Sequence, residues 1–379
     1  ALRMDGLAER LAERVMRAEM GLGEGEDRPA GFTTWWSLLQ EACRRLMIIR
    51  SGGPLMDWYR TFVVRCRTIV IAIVRRDGQW LLYAAEHLKR DREVVLAAVS
   101  ANGYAMQHAS SDLKKDRELV LAAVSIDGRA LAYASEELCM DREVVLTAVS
   151  RYASALYYAS EELRKDREVV LAAVRRDGTA VHFASHELRN DRDVMLVAVS
   201  QYGGALAYAH SAPKKDKEVV LAAVSQYGGA LEFASEELRD DKEVVLAAVS
   251  QYGSAVDFAS KALKEDKEVM LAAVRSKGTV LFYAAPALRS DREVVLAAVS
   301  QNGYALGFAP YELRADREVV LAAISNSRFG LKFASKELRN DKEVVLAAVS
   351  QHGGHGGALE FASEELRRDP EVRAAAGLV

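Results

Sequence analysis

Apolar residues along this chain come in paired blocks separated by short polar stretches, and residues 216–240, DKEVVLAAVSQYGGALEFASEELRD, hold one full pair. DKE leads into VVLAAV, a glycine-bearing turn leads into ALEFA, and SEELRD closes the stretch. The first Asp recurs at Asp91, Asp116, Asp141, Asp166, Asp191, Asp216, Asp241, Asp266, Asp291, Asp316 and Asp341, every 25 residues. Such a period predicts tandem units stacked as a solenoid, because one unit cannot bury its apolar faces alone.

Within a unit counted from that Asp, the Asp side chain can accept from the unpaired N–H groups of a first helical turn. Glu two residues later suits the positive helix end. A helix of about ten residues, roughly 15 Å long, is therefore predicted from each Asp. Its VVLAAVS is apolar on nearly every side, which demands covering neighbours. Gly103, Gly128, Gly178, Gly203, Gly228, Gly253, Gly278 and Gly303 follow it, where a left-handed residue would end the helix. A second short helix is predicted through A-L-x-[FY]-A, which carries an aromatic in eleven of twelve units and His108 in the other. Pro286 and Pro310 mark the opening of a separate Ser-capped single turn, α or 3₁₀, since proline suits a helix start. Pro213 predicts a local irregularity in its unit.

The expected fold class is all-α, an α-solenoid of twelve 25-residue units with short helix pairs over residues 66–368. Residues 1–65 lack the repeat and are expected to form an N-terminal helical cap or anchor, with Leu2, Leu7, Leu11, Val15 and Met16 on one helical face. Trp35 and Trp36 fall there, on a second predicted helix. Near the other end HGG is duplicated within a turn, which supports a loop at that point. Residues 369–379 then begin a partial unit, and Leu359, Phe361 and Leu366 are expected to stay partly uncovered, a candidate surface for self-association.

Net charge is −3 with acids and bases interspersed in every unit, which argues against a polyanion as main partner. Cys43, Cys66 and Cys139 share no close spacing, so unpaired thiols in a reducing intracellular compartment are expected. The apolar run TIVIAIV at 68–74 is too short to span a membrane and is flanked by Arg67, Arg75 and Arg76. The first residues mix acids with Arg and do not read as an intact signal or transit peptide.

Chemistry-bearing patterns are weak. His182 and His186 have helical metal-pair spacing, but the proline-compatible break lies between them, and His352 and His355 flank glycines of the duplicated turn. No carboxylate or Cys set joins either pair, so no metal and no cofactor are expected. Asp and Glu recur equivalently in every unit, which fits capping better than catalysis. The GG pairs lack the Lys-Ser/Thr of a phosphate loop.

DREVVLAAVSQNGYALGFA at 291–309, with EELRxD after it in other units, is similar to tandem helical repeats known as a domain of unknown function, found in arrays in algal, other protist and some bacterial proteins. That resemblance spans residues 66–368 and implies a helical array without an assigned activity. More loosely, DPEVRAAA and the period resemble leucine-rich-repeat variants, which alternate α and 3₁₀ helices.

Positions that vary between units should face solvent. Tyr152, Tyr202, Tyr227 and Tyr252 share one of them, and the last three stand in consecutive units as candidate partner-binding residues beside Trp35 and Trp36. The expected function is a non-enzymatic scaffold or assembly subunit that holds a protein partner. One alternative is RNA or single-stranded nucleic-acid binding, supported by Lys or Arg after each Asp and opposed by the Glu that follows. Another is a structural subunit of a large complex, anchored by the Trp-rich N-terminus.

Overall fold

The computed structural model describes residues 67–352 and 357–378. Trp35, Trp36 and the predicted cap over residues 1–65 lie outside them. The described residues form a tandem all-α solenoid, with helices and turns and no strand among them. They fall into two compact units, one running to Arg176 together with Phe183–Ser185, the other Asp177–His182 together with His186 onward.

Each repeat opens on its Asp. Asp241 Oδ1 accepts from the Glu243 and Val244 N–H groups at 3.0 and 3.2 Å, and helix Lys242–Gln251 follows for 10 residues. In that helix Val244, Val245, Ala248 and Val249 are fully buried, while Leu246 and Ala247 are half-buried. The VVLAAV face is thus covered on one broad side, narrower than its composition suggested.

The second element is a 3₁₀ helix in almost every repeat, as in Gly103–His108, Gly228–Phe233 and Gly303–Phe308. With three residues per turn, Gly228, Leu231 and Ala234 align on one side, and all three are buried. Phe233 falls off that line and stays half-exposed. The third element is mostly a short α turn: Ser160, Ser235, Ser260, Ser335 and Ser363 accept from the backbone N–H three residues on, as at Ser235 Oγ, 3.4 Å from Leu238 N. Pro286 occupies its first turn and Pro310 its cap.

Three expectations are corrected. The repeat glycines are not left-handed, since Gly377 alone among the described residues has positive φ. They are instead sites of close approach: a Cβ on Gly253 would lie 2.6 Å from the Ala273 carbonyl oxygen of the next repeat. Pro213 does not interrupt its repeat. Helix Ser211–Lys215 forms around it, because a first-turn residue has no intrahelical acceptor to lose. At the far end Leu359 and Leu366 are only 6% and 7% exposed, with Phe361 half-buried, so the uncovered face expected there is absent. Helix Pro370–Ala375 packs against Lys342–His352 and buries Val372 completely.

Candidate functional site

Three columns of side chains run along the repeats. The first follows the capping Asp. Arg92 Nε reaches Asp116 Oδ2 at 2.7 Å and its Nη2 reaches Glu118 at 2.7 Å, both in the following repeat. Arg117 does the same with Asp141 and Glu143, Lys217 with Asp241 and Glu243, Lys242 with Asp266 and Glu268, and Lys267 with Asp291 and Glu293. Each of these Asp carboxylates therefore caps its own helix and binds a cation from the repeat before. The Lys217 ammonium, by its hydrogen bond, holds the Asp241 carboxyl below the ordinary Asp range, and Lys242 does so for Asp266.

The second column is the turn position of the four tyrosines. Tyr152, Tyr202, Tyr227 and Tyr252 are 41–48% exposed, as expected of that position. The structure does not stack them: among the described residues no ring contact joins Tyr202, Tyr227 and Tyr252. The Tyr202 ring packs so close to Gly204 that a Cβ there would lie 2.5 Å from its Cζ, and the Tyr227 ring does the same at Gly229, at 2.6 Å. The same position holds Asp77, Asn102, Asp127 and Asn302 elsewhere. Their side chains cap the 3₁₀ helix, as in Asn302 Oδ1 to Tyr304 N at 2.9 Å.

The third column, unread from the sequence, lies where the 3₁₀ helix meets the short turn. A half-exposed aromatic stands near the end of most 3₁₀ helices, and a cation near the end of most turns. Lys114 Nζ sits 5.8 Å from the Tyr133 ring centre and 3.0 Å from the Gln107 carbonyl oxygen. Burial first, then Lys89 and Lys114 on either side, hold the His108 imidazole below its ordinary range. Burial and the Tyr104 phenol, 5.3 Å away ring to ring, push the Tyr133 hydroxyl up to about 12. In the second compact unit the rings link up. Phe282, 59% exposed, meets Tyr283 at 5.4 Å and Phe308 at 5.5 Å, while Tyr304 meets Phe308 at 6.0 Å and Phe333 at 4.9 Å. Lys332 Nζ lies 5.7–5.8 Å from the rings of Phe329, Phe333 and Phe361. Counting the aromatics in steps of three from the glycine, instead of as core, would have found this edge.

His182 and His186, separated by the break expected between them, meet different rings. His186 stacks on His210 with centroids 3.5 Å apart, whereas His182 meets Tyr208 at 4.7 Å. His352 Nε2 lies 2.5 Å from the Ile324 carbonyl oxygen, and His355 is outside the described residues. Burial, then the nearby Glu136, push the Cys139 thiol up, away from the reactive thiolate.

Neither the curated proteins nor the solved structures contain a match to this chain. The repeats themselves are matched six times, at residues 66–114, 116–164, 166–212, 216–264, 266–314 and 316–367, each match spanning two of the 25-residue units. These matches cover well over half of the chain, which belongs to the family described as Domain of unknown function (DUF4116).

Proposed function

We propose that this protein is a non-enzymatic scaffold that holds a protein partner along the repeat edge carrying the exposed rings. The carrying observation is the linked set Phe282, Tyr283, Tyr304, Phe308 and Phe333, continuous over neighbouring repeats and open to solvent at Phe282 and Tyr304. Aromatic side chains give large contact area at small entropic cost and dominate binding hot spots. The tyrosines Tyr152, Tyr202, Tyr227 and Tyr252, on the turn column, offer a second surface of the same kind. Nucleic acid is the weaker reading. The Arg and Lys after most capping Asp residues are engaged by carboxylates of the next repeat, so that stripe offers phosphates little unneutralised charge.

The test is capture from native extract on the full chain, with F282S/Y304S and Y202S/Y227S/Y252S compared against wild type. A specific protein should be lost from one variant while its melting curve stays that of wild type. Captured proteins unchanged by both variants would overturn the reading.

A further inference from the structure

The cations that follow the capping Asp are mostly spoken for, but a set at the ends of the short turns in the second compact unit is not. Arg292 and Arg317 each bind carboxylates of the following repeat. Arg289, Arg314 and Arg339, at the ends of the short turns, have no carboxylate within ion-pair distance among the described residues. Each also keeps its Nε buried without an acceptor. They are half-buried, so their guanidinium groups are held in place at one per repeat.

The acids that flank such cations elsewhere thin out here. Where other turns carry Glu161 and Glu162, or Glu236 and Glu237, these carry Pro286 and Ala287, Tyr311 and Glu312, and Lys336 and Glu337. Of those two glutamates, Glu337 already accepts from Tyr311 Oη at 2.9 Å. The Tyr283, Phe308 and Phe333 rings recur one per repeat at the position of Tyr133, which Lys114 approaches to 5.8 Å from the position these arginines hold, and they are joined through Phe282 and Tyr304.

Resting on the scaffold reading, we propose that this edge binds an extended acidic segment of the partner polypeptide in the polyproline II conformation, with a carboxylate at every third residue. Packed helices lie about 8–10 Å apart, which sets the step between equivalent cations in successive repeats. A polyproline II strand presents the same side every three residues, at about 3.1 Å per residue, or roughly 9 Å. The two steps agree, so successive carboxylates meet successive guanidinium groups and can pair with them bidentately. The residues between lay their apolar rings on the aromatic floor, as proline-rich segments do in aromatic-lined grooves.

Fluorescence anisotropy on the full chain tests this with labelled (Pro-Pro-Glu)5, (Pro-Pro-Lys)5, a peptide of the first composition with its glutamates contiguous, and a single-stranded RNA oligonucleotide. The regular acidic peptide should bind, weaken steeply with salt, and exceed the contiguous and basic peptides by at least tenfold. R289Q/R314Q/R339Q should cost at least tenfold, with circular dichroism melts confirming the fold. The peptide series on wild type decides the question even where that variant fails to fold. Equal binding of acidic and basic peptides, indifference to glutamate register, or tighter binding of the RNA overturns the proposal. If F282S/Y304S still releases a captured protein while no peptide binds, the scaffold reading stands and this one falls.

Discussion

Lys217 Nζ lies 2.7 Å from Asp241 Oδ2, 24 residues away in sequence, while Oδ1 of the same carboxylate closes the first turn of helix Lys242–Gln251. One side chain thus fixes a helix start within its repeat and a register between repeats. D241A should lose both and cost about 0.5–2 kcal/mol, the range for a lost N-cap. D241N keeps an oxygen for the cap and should lose only a minor part of that, since the ion pair is solvent-exposed. Urea melts of the two variants check this, and equal losses would show that the cap contributes nothing.

Acid should unravel this register. Asp91, Asp141, Asp241, Asp266, Asp291 and Asp316 are held below the ordinary carboxylate range, first by the side-chain hydrogen bond from the cation of the preceding repeat. A depressed carboxylate stabilises the fold above its unfolded pKa of about 4 and loses that contribution as pH falls through the lower folded value. Melting temperature should stay level for these groups from pH 7 to 5 and drop below about pH 4. A melting temperature unchanged down to pH 2 would contradict the coupling.

Gly253→Ala tests the close approach of neighbouring repeats. Because φ at Gly253 is not positive, alanine would ordinarily stabilise by restricting the unfolded chain. Here its Cβ would meet the Ala273 carbonyl oxygen, so a loss of about 1–3 kcal/mol is expected. A raised midpoint in denaturant would refute the steric account.

Leu231 is fully buried on the 3₁₀ helix, whereas Leu246 is only half-buried on the helix of the next repeat. L231A should therefore cost about 2–5 kcal/mol and L246A clearly less. The opposite order would place the core on the wrong side of the repeat.

What the sequence determined is everything whose cause lies within a few residues. The 25-residue period, the Asp-capped helix of 10 residues and the Ser-capped turn opened by Pro286 are local hydrogen-bond and dihedral effects, written in the letters around them. What only the tertiary structure decided depends on neighbours about 20 residues away or more. Glycine at Gly253 reads as a left-handed stop until the carbonyl of Ala273 is seen above it. An aromatic such as Phe233 reads as core until three residues per turn carry it off the buried line. Lys217 and Arg314 look alike in the sequence, yet stacking gives the first a carboxylate and leaves the second without one. Stacking one repeat on the next fixes which groups meet, and no single repeat encodes that geometry in its own sequence.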